Sequence, residues 1–99
     1  ALNLPVKAEI EFVFPRPKSH YGTGKNADVL KPSAPKFCTS RGNGDIDKLS
    51  RSTLDGLSVS AGGSVLEDDS LVVELNTKKR YINKDELPGA YIAISSICD

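Results

Sequence analysis

Residues 43–57 read NGDIDKLSRSTLDGL and carry the clearest helical period of the 99-residue chain. Four apolar residues in this stretch recur with the 3.6-residue spacing that places them on one side of a helix. They are Ile46, Leu49, Leu54 and Leu57. Asp45 or Asp47 can cap the first turn, and Gly56 lies where the helix would end. The sequence therefore predicts an amphipathic helix from Asp45 to about Leu57.

Apolar residues at every second position predict three strands around this helix. The first strand covers Val6 to Phe14, and the last covers Ala90 to about Ile94. Between them a strand begins at Leu71 and runs into the cationic segment 78–80, which we interpret as a solvated strand end, with contact to a DNA backbone as the second interpretation. The order strand, long loop, helix, strand, strand predicts one α+β domain over residues 1–99, with one principal helix packed on a mixed β-sheet.

The segment from Arg16 to Gly44 is rich in Gly, Pro, Ser, Asn and Lys and shows no sustained helical or strand period. A structureless loop of more than ~15 residues in a compact domain is commonly functional or disordered, and the sequence leaves both alternatives open. Between Arg16 and Arg51 the chain has eight Lys or Arg residues against three acids, whereas from Ser52 onward it has eight acids against four basic residues. This asymmetry is typical of a solvated surface, or of a basic surface for a polyanion beside an acidic site for metal.

The composition excludes several classes of protein. Hydrophobic residues make up 38% and charged residues 26% of the chain, and no apolar run is as long as the ~18 residues of a membrane-spanning helix. A formal net charge of zero argues against a protein that coats nucleic acid indiscriminately. Cys38 and Cys98 are far apart without Cys-x-x-Cys spacing, so we expect no disulfide framework, no zinc site and a reducing, cytoplasmic setting. The sequence has no Met and no visible signal peptide, which suggests a trimmed product.

The first candidate for chemistry is the acidic pair at the predicted start of the helix. Asp45 and Asp47 are separated by one residue, so both can reach one ion. Four-residue steps then place Asp47, Arg51 and Asp55 on one polar face of the helix. The alternative interpretation of this face is a capping carboxylate followed by an exposed ladder of ion pairs.

The second candidate is the acidic segment Glu-Asp-Asp at 67–69, directly before the strand at Leu71. Three consecutive acids repel one another, so a fold places them on an open loop or around a cation. We expect the N-terminus of the helix to pack beside the start of that strand, so that Asp68 or Asp69 completes an all-oxygen site with the two helix acids. Such a site suits Mg²⁺ or Mn²⁺. Beside a basic loop it indicates metal-assisted phosphodiester hydrolysis in which Arg51 contacts the phosphate.

Three other motifs receive little weight. His20 is the only histidine, and a lone loop histidine beside an aromatic residue is more often a surface residue than a catalytic one. Residues 22–25, GTGK, lack the spacing and the following helix of a phosphate-binding loop. Residues 45–49 lack the third oxygen ligand of an EF-hand calcium loop, because position 49 is Leu.

The Asp-x-Asp at 45–47, the cation at 51, the Asp at 55 and the Asp-Asp pair at 68–69 resemble the RusA family of Holliday junction resolvases from bacteria and their phages. The resemblance covers most of the chain, including LPVKAEIEF at 4–12 and DDSLVV at 68–73. It implies a RusA-like fold and a homodimeric, Mg²⁺-dependent endonuclease that nicks two strands of a four-way DNA junction symmetrically. The metal ligands and catalytic residues that it implies are Asp45, Asp47, Asp69 and Arg51, with Asp68 as an accessory acid.

Basic residues of the loop and of the first helical turn are the DNA contacts expected of such a nuclease. They are Arg16, Lys18, Lys25, Lys31, Lys36, Arg41 and Lys48. Lys48 stands where the family usually has Asn and Arg51 where it has Lys, and the family's further strand and helix do not precede Val6, so we expect an N-terminally truncated chain. These departures suggest an alternative, a non-catalytic DNA- or protein-binding module with a RusA-like fold. We expect a cytoplasmic location in a bacterial host cell and no membrane contact.

Overall fold

A computed structural model describes residues 1–59 and 62–97 and contains a mixed three-stranded sheet with one principal helix. The strands pair in the order β2-β1-β3, with β1 parallel to β2 and antiparallel to β3. This arrangement confirms the predicted α+β class. The elements are β1 (Val6–Phe14), α1 (Ile46–Leu57), β2 (Val72–Tyr81) and β3 (Gly89–Ser96).

The central strand β1 has the alternating burial that its sequence predicts. Val6 and Ala8 are fully buried, and Ile10 and Phe12 are nearly so, on the face that α1 covers. Their neighbours Lys7, Glu9 and Glu11 lie on the opposite face, because successive side chains of a strand alternate. β1 is therefore buried on one side and charged on the other as far as Glu11, whereas Val13, which the alternation predicts on the exposed side, is also buried.

Helix α1 connects two parallel strands, and this connection fixes its direction. The chain must return from the end of β1 to the start of β2, and α1 makes part of that return. The start of α1 lies beside the end of β2, where Lys79 Nζ donates a hydrogen bond to the Gly44 carbonyl over 2.9 Å. The end of α1 lies beside the start of β2, where the 3₁₀ turn Asp69–Leu71 contacts the helix. The prediction that the N-terminus of the helix packs beside the start of this strand is therefore wrong.

The helix packs on the sheet through a small polar residue. Ser50 is the buried residue of α1, and its hydroxyl donates to the Ile46 carbonyl over 2.7 Å and bonds Thr77 Oγ1 of β2 over 2.9 Å. The four predicted apolar positions of the helix are half-buried around it. A serine at the contact allows a close approach of helix and strand.

The basic loop, residues 16–44, forms isolated single turns rather than a regular element. Its 3₁₀ turns are Lys18–His20, Gly24–Asn26 and Arg41–Asn43. Tyr21 and Leu30 pair as an isolated bridge, and Cys38 is buried, where Asn43 Nδ2 donates to its sulfur over 2.9 Å. The predicted absence of a sustained helix or strand is confirmed. The other cysteine, Cys98, lies outside the described residues.

Within the described ranges, no helix has the length and apolar character needed to cross a membrane.

Candidate functional site

The acidic residues singled out in the sequence form two groups at opposite ends of α1. Asp45 and Asp47 form the start group, at the N-cap and in the first turn. Asp55, Asp68 and Asp69 form the end group, where the last turns of the helix meet the turn before β2. Since each helical residue advances the chain by ~1.5 Å, Asp45 and Asp55 are about 15 Å apart along the helix axis.

The start group is open to solvent and surrounded by positive groups. Asp45 occupies the N-cap with an extended backbone, and its side chain makes no capping hydrogen bond within the described structure. The carboxylate is 70% exposed, with Lys48 Nζ at 3.8 Å. The free amides of the first helical turn add partial positive charge, and Lys79 binds the preceding carbonyl of Gly44. This end of the helix can therefore hold two carboxylates and attract an anion beside them.

The end group crowds negative charges together. Asp68 caps the short turn by accepting a hydrogen bond from the Ser70 amide over 2.9 Å, and this bond lowers the pKa of Asp68. The adjacent side chain of Asp68 raises the pKa of Asp69, and the nearby carboxylate of Asp55 adds to the effect. The acids closest to Asp69 are thus Asp68 and Asp55, whereas Asp45 and Asp47 lie at the other end of the helix.

The predicted ligand set is not gathered into one cluster. Within residues 1–59 and 62–97, no group of three or more His, Cys, Asp or Glu side chains is arranged to hold a metal ion. Arg51 is exposed on the turn between the two groups, four residues from Asp47 and four from Asp55. The donors nevertheless fit Mg²⁺ or Mn²⁺ in kind, because all are carboxylate oxygens, and a cation near Asp69 would offset the repulsion there.

Two neighbours of the site were missed by sequence reasoning. The sequence places Asp55 on the polar face of the helix but does not predict that it lies beside Asp69. The contact arises because a helix that connects two parallel strands ends beside the start of the second strand. Lys79 was interpreted as part of a solvated strand end, but its ammonium is bound beside the start of α1. Lys78 fits the solvated interpretation, because its side chain is 67% exposed beside Glu11, whereas Arg80 is 29% exposed and pairs with Glu86 at 2.7 Å.

The predicted DNA contacts fall into two kinds. Arg16 is half-buried, donates to the Pro35 carbonyl over 2.7 Å and stacks over the Tyr81 ring, with its guanidinium carbon 4.4 Å from the ring centroid. The other predicted DNA contacts are exposed, and they are Lys18, Lys25, Lys31, Lys36, Arg41 and Lys48. Arg16 therefore shapes the loop, whereas the others present positive charge at the surface.

Comparison with known proteins adds a finding at the level of the family. No curated protein and no solved structure matches the chain. A family model described as Endodeoxyribonuclease RusA matches residues 1–95, which is nearly the full 99 residues. The chain belongs to the RusA family of endodeoxyribonucleases.

Proposed function

We propose that this chain is a metal-dependent, structure-selective endonuclease that resolves four-way DNA junctions by paired phosphodiester hydrolysis. The observation that carries the proposal is the match to the endodeoxyribonuclease family over residues 1–95. The acidic groups at the two ends of α1, together with the exposed Arg51 between them, are consistent with it.

The proposed metal ligands are Asp45 and Asp47 in the start group and Asp69 in the end group, with Asp68 as an accessory acid; the two groups lie about 15 Å apart along α1, so one copy of the chain does not bring all of them to the same ion. A bound Mg²⁺ or Mn²⁺ would activate a water molecule and neutralise charge on the scissile phosphate. Arg51 is proposed to contact that phosphate. An arginine at this position can stabilise negative charge on the phosphate but is a poorer proton donor to the leaving oxygen than a lysine.

Branched DNA and a second copy of the chain are the proposed partners. Two symmetric nicks need two active sites, and a homodimer with two-fold symmetry supplies them. The exposed cations of the basic loop would neutralise backbone phosphates and make junction binding dependent on salt. The proposed location is the cytoplasm of a bacterial host cell.

The proposal is tested by measuring the nicking of a synthetic four-way junction with Mg²⁺ or Mn²⁺. Asp45→Asn and Asp69→Asn should each abolish nicking, whereas Glu74→Gln, an exposed acid on the opposite face of β2, should leave it unchanged. Mg²⁺ should also raise the unfolding temperature of the wild type, and each Asn variant should weaken that effect, because binding to the folded state stabilises it by mass action. Absence of nicking under all these conditions would contradict the proposal.

The second candidate is a module that binds junctions without cutting them. The separation of the predicted ligands into two groups favours it, because no three-carboxylate cluster is formed in the described part of the chain. A binding module needs no divalent ion, so Asp45→Asn would keep full affinity for a four-way junction in EDTA. Junction binding without nicking would select this candidate over the nuclease.

A further inference from the structure

A cavity of about 810 Å³ opens between the basic loop and the turn that joins β2 to β3. Its volume lies within the ~300–1,000 Å³ range of small-molecule sites. The loop and the turn both contribute charged side chains to it, and the loop adds an aromatic ring. The lining residues that carry the argument are Arg16, Tyr21, Asp28, Lys36, Lys84 and Asp85.

The inner wall of the cavity is fixed by a cluster around Tyr81. The Arg16 guanidinium lies 4.4 Å from the centroid of the Tyr81 ring and donates to the Pro35 carbonyl over 2.7 Å. His20 meets the same ring edge-on, with the centroids 5.3 Å apart. Tyr81 is buried at the end of β2, so this cluster holds the loop against the sheet and keeps the cavity open.

The outer wall offers groups of both charges. Lys36 and Lys84 are exposed and can turn toward a phosphate. Asp28 and Asp85 are also exposed, and a carboxylate accepts hydrogen bonds from the amino groups of nucleobases. Tyr21 is half-buried and presents an aromatic surface on which a base can stack. A nucleotide combines the three complementary features, which are a negative phosphate, N–H donors and a flat ring.

The cavity lies beside the start group of acids. Lys79 and Tyr81 are two residues apart on the same face of β2, a separation of about 7 Å. Lys79 binds the Gly44 carbonyl, which directly precedes Asp45. A DNA strand that passes the start of α1 can therefore place a neighbouring nucleotide in the cavity.

We propose that this cavity binds one unpaired nucleotide of the DNA substrate, with the base against Tyr21 and the phosphate at Lys36 and Lys84. The inference rests on the proposed function, since it assigns a subsite for the same substrate. A base pair at a branch point lacks a continuous stacked neighbour, so it opens at a lower cost than a pair within continuous duplex. The cavity would thus contribute to the selection of branched DNA over linear duplex.

Tyrosine fluorescence reports on the cavity directly, because the chain has three tyrosines and no tryptophan. Tyr21 and Tyr81 lie at the cavity, and Tyr91 is on β3. In a Tyr91→Phe background, a short single-stranded deoxycytidine oligomer added in EDTA should quench the remaining emission. Tyr21→Ala should weaken binding of the oligomer roughly 5- to 100-fold, as expected when base stacking on an aromatic ring is lost. Anisotropy of a labelled oligomer measures this affinity.

Two double variants that each remove two positive charges distinguish binding in the cavity from general electrostatic attraction of DNA by the basic loop. Lys36→Gln with Lys84→Gln should weaken oligomer binding and reduce its salt dependence by about one phosphate contact, because the two lysines share one phosphate. Lys25→Gln with Lys31→Gln removes the same charge from exposed loop positions outside the cavity lining, so it should weaken oligomer binding less than the cavity pair does and should leave the quenching of tyrosine emission at saturation unchanged. Equal losses in both double variants, or binding that leaves the tyrosine emission unchanged, would overturn the proposal.

Junction nicking with Mg²⁺ is scored separately from oligomer binding. Nicking of the junction without Tyr21-dependent binding of the oligomer would contradict the nucleotide site in the cavity and support the nuclease. Binding that depends on Tyr21 without nicking would support the cavity and contradict the nuclease.

Discussion

The two faces of the sheet are stabilised in different ways. The packed face, which carries Ala8, Ile10 and Thr77, is covered by α1 and excludes water. The ionic face, on the other side of the same strands, carries Glu11 and Arg80 and their partners, which stay partly in contact with solvent. Apolar burial gains free energy in proportion to the area removed from water, whereas ion pairs in solvent gain little. We therefore expect the stability of this small domain to come mainly from the packed face.

Ile10→Ala should have the largest effect on stability. Ile10 is 2% exposed at the centre of β1, so truncation leaves a cavity and should lower the free energy of unfolding by about 2–5 kcal/mol. Ile92→Ala is the matched control, because Ile92 is the cross-strand partner of Ile10 and is 42% exposed. Chemical denaturation should show a clearly smaller loss for Ile92→Ala. Equal losses would mean that burial does not distinguish the two positions.

Ser50→Ala should have a smaller effect on the same face. The substitution removes the hydroxyl that bonds both Ile46 and Thr77 and should cost about 1 kcal/mol, the usual contribution of one hydrogen bond. A double-mutant cycle with Thr77→Val measures the coupling between helix and strand. If the two single losses add without coupling, the hydrogen bond does not hold α1 to the sheet.

The packed face was predictable from sequence, and the ionic face was not. Alternation alone gives the bounds of β1, and the 3.6-residue period gives α1 to within one residue. β2 begins one residue later than expected, because Leu71 belongs to a 3₁₀ turn, and it extends to Tyr81. That extension depends on Glu11, which pairs with Lys78 and Arg80 from a distant part of the chain.

The candidate site was also predictable only in part. Its acidic residues were recognisable from their spacing, but their neighbours depend on strand order. The parallel pairing of β1 with β2 sends α1 back along the sheet and brings Asp55 beside Asp69. No local pattern in the sequence shows that β1 pairs in parallel with β2, and the predicted direction of the helix is therefore wrong.

Glu86 should make the ionic face sensitive to acid. Its carboxylate accepts two hydrogen bonds from Arg80 at 2.7 Å and one from the Asn83 amide at 2.8 Å, and these bonds hold the pKa of Glu86 at about 2. The pKa is lower in the folded state than in the unfolded chain, where Glu titrates near 4.5. The carboxylate therefore stabilises the fold above about pH 4.5, and this contribution is lost as the pH falls toward 2.

Glu86→Gln is the test of this pH dependence. At pH 7 the variant should unfold at a lower denaturant concentration than the wild type, and the difference should shrink between about pH 4.5 and 2. Glu74→Gln, which removes an exposed acid of the same face, should give nearly parallel pH curves. A difference for Glu86→Gln that stays constant over this range would contradict the role of the Arg80 pair.

Lys7→Gln should have the smallest effect of all. Lys7 pairs with Glu9 at 3.0 Å and Glu74 at 3.2 Å, but both acids are more than half exposed, so solvent and salt screen the attraction. The unfolding midpoint should stay within error of the wild type, at low salt and in 1 M NaCl alike. Glu11→Gln provides the contrast, because the Glu11 side chain is only 22% exposed and accepts from both Lys78 and Arg80. A loss for Lys7→Gln as large as that for Glu11→Gln would show that exposed and sheltered ion pairs on this face stabilise the sheet equally, so that exposure would not determine what an ion pair contributes here.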